Sequence, residues 1–139
     1  MTCMDKVEIR KYLPIDRESC RSLWRELTEW HRQIYQDPSI GGSRPEEYFD
    51  EHLAKVGADH LWVATINSKV VGLIGLIVNE KEAEIEPIIV SKPYRNKGVG
   101  RRLVKRVIAE AEKLGIRRVR AEREDLGYKK YLALKAFEF

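Results

Sequence analysis

The sequence predicts an α/β (α+β) domain on a mixed, mostly antiparallel central sheet. Three observations carry that expectation. Apolar residues recur at i, i+3 and i+4 in three stretches, the spacing of helices that bury one face. Between the second and third stretch the pattern becomes that of strands, over three runs joined by short polar turns. The third helix is entered from a β-branched run and followed by a further short strand, which makes a parallel crossover.

Element by element, Val7 to Tyr12 alternates like a first strand, and Pro14-Ile15-Asp16 breaks it. Asp16 is a natural N-cap for a helix from Arg17 to about Gln36, with Cys20, Leu23, Trp24, Leu27, Trp30 and Ile34 on one stripe. Residues 36–42 form a turn-rich loop expected to be mobile. Ser43-Arg44-Pro45-Glu46 reads as a capping box for a second helix carrying Phe49, Leu53 and Val56 and stopped by Gly57. Strands follow at 61–66, 70–78 and 83–90, the first two joined by a tight turn at Asn67-Ser68-Lys69. A helix with Leu103, Val104, Val107, Ile108, Ala111 and Leu114 ends at Gly115, and Ile116 to Ala121 forms a strand parallel to the one ending at Val90.

The 139 residues are read as one domain, 1–139, long enough for a real core. The charge of +4, from 26 bases against 22 acids, is too mild to indicate a nucleic-acid partner by itself. Arg101, Arg102, Lys105, Arg106, Lys113, Arg117, Arg118, Arg120 and Arg123 would form a basic face, but no aromatic platform interleaves with them. Cys3 and Cys20 are unpatterned, and no run approaches membrane length, so a soluble cytoplasmic protein is expected. No His/Cys spacing suggests a metal; His31, His52 and His60 are scattered.

The chemistry gathers at Ile88-Ile89-Val90-Ser91-Lys92-Pro93-Tyr94-Arg95-Asn96-Lys97-Gly98-Val99-Gly100. A basic loop with two glycines offers backbone N–H groups along the positive end of a helix dipole, a device for binding phosphate. A Walker A loop would need Lys and Ser or Thr after its last glycine, where this chain has Arg101-Arg102. A dinucleotide loop would need a third glycine where Leu103 stands. What fits is R-x-x-G-x-G from Arg95 to Gly100 between strand and helix. It resembles the pyrophosphate loop of the GNAT (GCN5-related N-acetyltransferase) superfamily, [QR]-x-x-G-x-[GA], and the order β-α-α-β-β-β-α-β over residues 7 to 121 resembles the GNAT fold.

That resemblance implies helices on both sheet faces, acetyl-CoA as acyl donor and a primary amine as acceptor. It implies that Arg95, Asn96, Lys97, Gly98, Val99, Gly100 and Arg101 surround the CoA pyrophosphate. The pantetheine arm would pair with Ile88, Ile89 and Val90 in a splay between two parallel central strands. Pro87, which lacks an N–H, suits a bulge at that splay or, alternatively, an edge strand. Glu84 and Glu86 are candidate general bases; Glu86-Pro87-Ile88-Ile89-Val90 resembles the E-x-x-x-V strand end of aminoglycoside 6′-N-acetyltransferases. Glu80 and Glu82 read as solvated. Trp30, His31 and Tyr35 fall in the region that covers the acceptor in this family.

The tail, 122–139, is atypically short for the family. Either Tyr131 is the helix tyrosine that protonates the leaving thiolate, or Leu126-Gly127-Tyr128 is the glycine–aromatic pair and residues 131–139 form a strand. An uncovered sheet edge there would invite dimerisation. A non-catalytic acyl-CoA-binding regulatory module is the alternative to an N-acetyltransferase.

Overall fold

The computed structural model describes residues 6–121 and 136–138. Its elements run β1 (Val7–Lys11), α1 (Arg17–Tyr35), α2 (Glu47–Val56), β2 (Leu61–Ile66), β3 (Lys69–Asn79), β4 (Glu82–Val90), α3 (Val99–Lys113), β5 (Arg118–Ala121) and β6 (Ala136–Glu138). The strands lie in the order β1-β2-β3-β4-β5-β6. Every neighbouring pair is antiparallel except β4 with β5, which the α3 crossover makes parallel.

Alternation along the central strands divides the interior into two cores. Trp62, Ala64 and Ile66 of β2 face α3, together with Ile74, Leu76, Ala83, Ile85 and Val90, and α3 contributes Val99, Leu103, Val107 and Ala111. Leu61, Val63, Leu73 and Ile89 face the other way and pack on Cys20, Leu23 and Leu27 of α1 and Phe49 of α2. Covered on both faces, β2 is buried along its whole length, which explains why Leu61 to Ile66 carries no charged residue.

The turns follow local chemistry. Asn67 and Ser68 both take positive φ, the backbone that lets a two-residue hairpin follow strand twist. Gln36 ends α1 in the left-handed region. The loop after it, expected to be mobile, is tied back by Arg32, whose Nε donates to the Ile40 carbonyl at 2.8 Å and Nη2 to the Gly42 carbonyl at 2.7 Å.

Both expected helix caps are replaced by tertiary partners. Asp16 sits at the start of α1, but its carboxylate accepts from both terminal nitrogens of Arg10 at 2.7 and 2.9 Å and from the Leu13 N–H at 2.8 Å. A fixed guanidinium fork outcompetes a helix N–H for those oxygens. At α2 the Ser43 box does not form: turns from Arg44, Pro45 and Glu46 lead into the helix, and Glu46 pairs with Arg25 of α1 at 3.3 Å.

Candidate active site

The site is built from a strand that loses its register. Leu76 of β3 faces Ile85 of β4 and Ile74 faces Ile88, so Glu86 and Pro87 together stand opposite the single residue Gly75. This is a β-bulge, with a cis peptide bond between Glu86 and Pro87. It resets the alternation: Ala83 and Ile85 pack under α3 before the bulge, and Ile88 and Val90 do so after it. Gly75 is required by the close approach, because a Cβ there would stand 2.5 Å from the Glu86 carbonyl oxygen and 3.2 Å from Pro87 Cδ.

The same point ends the parallel pairing. β4 pairs with β5 only from Glu82 to Ile85. Beyond that, among the described residues, Ile88, Ile89 and Val90 pair with β3 alone, through Ile74, Leu73 and Gly72. On the opposite edge of this half-strand, the Val90 carbonyl accepts from Arg95 Nε at 2.8 Å.

Immediately after Val90 the chain makes a single 3-10 turn, Lys92–Tyr94, then the glycine loop, then α3. Asn96 and Gly98 take φ of 62° and 90°. At Gly98 no atom of the described residues would come within 4 Å of a Cβ, so glycine serves the backbone conformation there. Because α3 starts at Val99, the N–H groups of Val99, Gly100 and Arg101 have no acceptor inside the helix and face its N-terminal end. Lys97, Arg101 and Arg102 are exposed around this mouth. The arrangement suits an anion.

Arg95 behaves differently from its loop neighbours. Its main-chain N–H donates to the Lys92 carbonyl at 3.2 Å. Its side-chain Nε donates to the Val90 carbonyl at 2.8 Å, and its guanidinium lies 4.9 Å from the Trp30 ring centroid. Arg95 thus shapes the loop from behind, and the donors that remain for a ligand run from Asn96 to Arg101. Glu26 of α1, not singled out from sequence, accepts from the Lys92 N–H at 2.6 Å and the Ser91 hydroxyl at 3.1 Å.

The candidate bases lie around the bulge. Glu86 is exposed on it, and Glu84 is half-buried, in register with Ile77 on one side and Arg120 on the other. Glu82, read as solvated, pairs with Arg118 at 3.6 Å. His52 is a second residue the sequence reading passed over. It is buried in α2, 5.5 Å from the Trp24 ring, and its imidazole interacts with the Glu86 backbone. Burial pushes its pKa down, Lys55 adds to this, and the Glu86 backbone opposes it. Its signal was position: His52 falls three residues after Phe49, on the apolar stripe of α2.

Near the end of α1, His31, next to Trp30 in sequence, and Tyr35 stack edge to face with centroids 6.2 Å apart. Tyr131 and Tyr128 lie outside the described residues. Among the described residues no cluster of His, Cys, Asp and Glu could hold a metal, and no helix is long and apolar enough to cross a membrane.

A bulged strand whose parallel pairing stops at the bulge leads, through a 3-10 turn and a glycine loop, into the start of α3 in a mixed α/β domain. The model of the acetyltransferase (GNAT) family matches residues 24–129, and the chain belongs to that family. It is similar to the uncharacterised N-acetyltransferase YafP of Escherichia coli (strain K12): 32% identity over 116 residues, covering 81% of this chain and 73% of that protein. Among solved structures it resembles an assigned acetyltransferase of Pyrococcus horikoshii, with a TM-score of 0.70 and 23% identity over 93% of this chain. The chain spans only 42% of that protein's length. It also resembles the PaiA N-acetyltransferase of Thermoplasma acidophilum, solved in complex with coenzyme A, with a TM-score of 0.72 and 21% identity over 92% of this chain and 87% of that one. At these identities the structures speak for the fold.

Proposed function

We propose that this chain transfers an acetyl group from acetyl-CoA to a primary amine of a small molecule or protein, by direct attack in a ternary complex. The observation that carries the reading is the continuity between the open edge at Ile88–Val90 and the amide-lined start of α3. A ligand with a peptide-like arm and a pyrophosphate can use both. The arm's amides pair with the strand edge, and the phosphates meet the N–H groups of Asn96, Lys97, Gly98, Val99, Gly100 and Arg101. Lys97, Arg101 and Arg102 add charge at the mouth. The PaiA structure with coenzyme A supports CoA as the ligand.

An aliphatic amine has a pKa near 10.4 and is mostly protonated in neutral water, so it must lose a proton before attack. Glu86, exposed at the bulge, is the leading acceptor of that proton and Glu84 the second. As the nitrogen bonds to the acyl carbon the carbon–sulfur bond breaks. The departing thiolate takes a proton from Tyr131 or from solvent, which is undemanding for a thiol of pKa about 8.5. His31 and Tyr35, with Trp30, line the acceptor side. The reaction belongs in the cytoplasm, where acetyl-CoA is available.

Thermal unfolding with acetyl-CoA, CoA or NAD tests the donor. Stabilisation by the CoA species alone, by about 2–4 kcal/mol at saturating ligand, is expected; equal response to NAD, or none to acetyl-CoA, would end this reading. An amine panel of polyamines, aminoglycosides and peptide N-termini then tests turnover. Binding of CoA without turnover on any amine would favour an acyl-CoA-binding regulatory module.

A further inference from the structure

The turn that joins β4 to the cofactor loop is capped from a distance. Ser91 stands at the N-cap position of the Lys92–Tyr94 turn, but its hydroxyl makes no capping bond within it. Instead the Glu26 carboxylate does the capping: one oxygen takes the Lys92 N–H at 2.6 Å, the other the Ser91 hydroxyl at 3.1 Å. A carboxylate acceptor strengthens such bonds, and the Lys92 contact is the short one of the two. The turn closes through the Tyr94 N–H to the Ser91 carbonyl at 2.9 Å and the Arg95 N–H to the Lys92 carbonyl at 3.2 Å.

Arg95, where the loop begins, is fixed by the same helix. Its Nη2 lies 3.8 Å from Glu26, its guanidinium covers the ring of Trp30, and its Nε holds the last carbonyl of β4. Glu26 and Trp30 are four residues apart in α1 and so share a face. Strand end, turn and loop start are therefore all referenced to one turn of α1. The loop beyond them turns through a left-handed Asn96 and Gly98.

We propose that Glu26, with Trp30, is a positioning residue for the CoA pyrophosphate loop: through Ser91, Lys92 and Arg95 it sets the angle at which the amides of Asn96 to Arg101 meet the phosphates. The inference rests on the cofactor reading above. It makes the motif arginine a structural strut held by α1, and it makes α1, which also carries His31 and Tyr35, common to both halves of the site. A change in the placement of α1 then reaches cofactor affinity without touching a ligand.

The test is titration of CoA into the folded protein by calorimetry, with Glu26→Gln, Glu26→Ala, Ser91→Ala and Glu29→Ala. Glu29 lies on the same helix in an exposed pair with Arg32 and is the control. Glu26→Ala should raise the Kd for CoA about tenfold, in line with loss of charge-assisted bonds to backbone. Glu26→Gln, which keeps an acceptor oxygen, should fall between it and the wild type, and Glu29→Ala should match the wild type. In turnover assays the KM for acetyl-CoA should rise while kcat at saturation stays close to wild type; a general loss of stability would not produce that split. Ser91→Ala and Glu26→Ala should be non-additive. An unchanged Kd in Glu26→Ala overturns the proposal, as does strict additivity with Ser91→Ala. Should Glu26→Ala not fold, an unchanged Kd in Glu26→Gln overturns it equally. A wild type that does not bind CoA at all refutes the cofactor reading, a separate result.

Discussion

The carbonyl oxygen of Glu86 occupies the space in front of Gly75, where a Cβ would stand only 2.5 Å away and would also lie 2.9 Å from Leu61 Cδ2. Two residues of β4 can face one of β3 because that one has no side chain. Gly75→Ala must therefore push the bulge out or strain the core. A cost of about 2–3 kcal/mol is expected, the upper range for forcing atoms into packed space. Urea unfolding measures it, and CoA affinity should fall with it because Ile88 to Val90 move with the bulge. A variant as stable as wild type would show that the bulge yields freely.

Gly98 needs glycine for a different reason, and the two sites separate cleanly by substitution. A Cβ at 98 meets nothing among the described residues, but φ is 90°. Gly98→Ala is expected to cost about 1 kcal/mol from backbone strain. Gly98→Asn should cost less, since asparagine tolerates left-handed backbone, as Asn96 does two residues earlier. Equal costs from denaturation of the two variants would point to a steric conflict at this position.

What could be read from the sequence and what could not divides along the range of the interaction. Strand and helix stretches, the hairpin at Asn67-Ser68 and the loop from Arg95 to Gly100 rest on neighbours in sequence and appear near their expected places, with α2 starting three residues later than its capping box implied. Pro87 announced itself through its missing N–H. The caps failed because Arg10 and Arg25, brought in by the fold, took the carboxylates that a local rule assigned to helix starts. Glu26 looks like one more solvated acid of α1 until Lys92, distant in sequence, is folded against it. His52 was discounted among scattered histidines, although its place on the α2 stripe marked it as inward-facing.

Asp16 shows the energetic side of that competition. Burial alone would raise its carboxyl pKa, but hydrogen bonds from Arg10 and the Leu13 N–H, with the Arg10 charge, outweigh it and hold the group below the usual carboxylate range. A depressed folded pKa contributes stability that is present above the unfolded value, about 3.9, and is lost as pH falls through the folded value. Asp16→Asn leaves a partly exposed Arg10 without its counter-charge and should cost about 2 kcal/mol at neutral pH. The gap between wild type and variant in urea midpoint should be constant from pH 7 to 5 and close below about pH 4. A gap that widens in acid would reverse the sign argued here.

His52 gives a slope of the same sign, but within reach of physiological pH. Its pKa is lowered first by burial and then by Lys55, against a smaller opposing effect of the Glu86 backbone, so the folded protein holds a neutral imidazole. The unfolded chain takes up a proton near pH 6.5 and the folded chain only at lower pH, so stability must fall as pH drops through about 6.5. Replacing His52 by Gln removes this titration while keeping a polar group beside Glu86. The variant should be less stable than wild type at pH 8 and should approach it by pH 5, because only the wild type loses stability over that interval. Denaturant midpoints at both pH values decide it: parallel curves would mean that folding leaves the proton affinity of His52 unchanged, and a gap that widens towards pH 5 would mean that the fold favours the imidazolium.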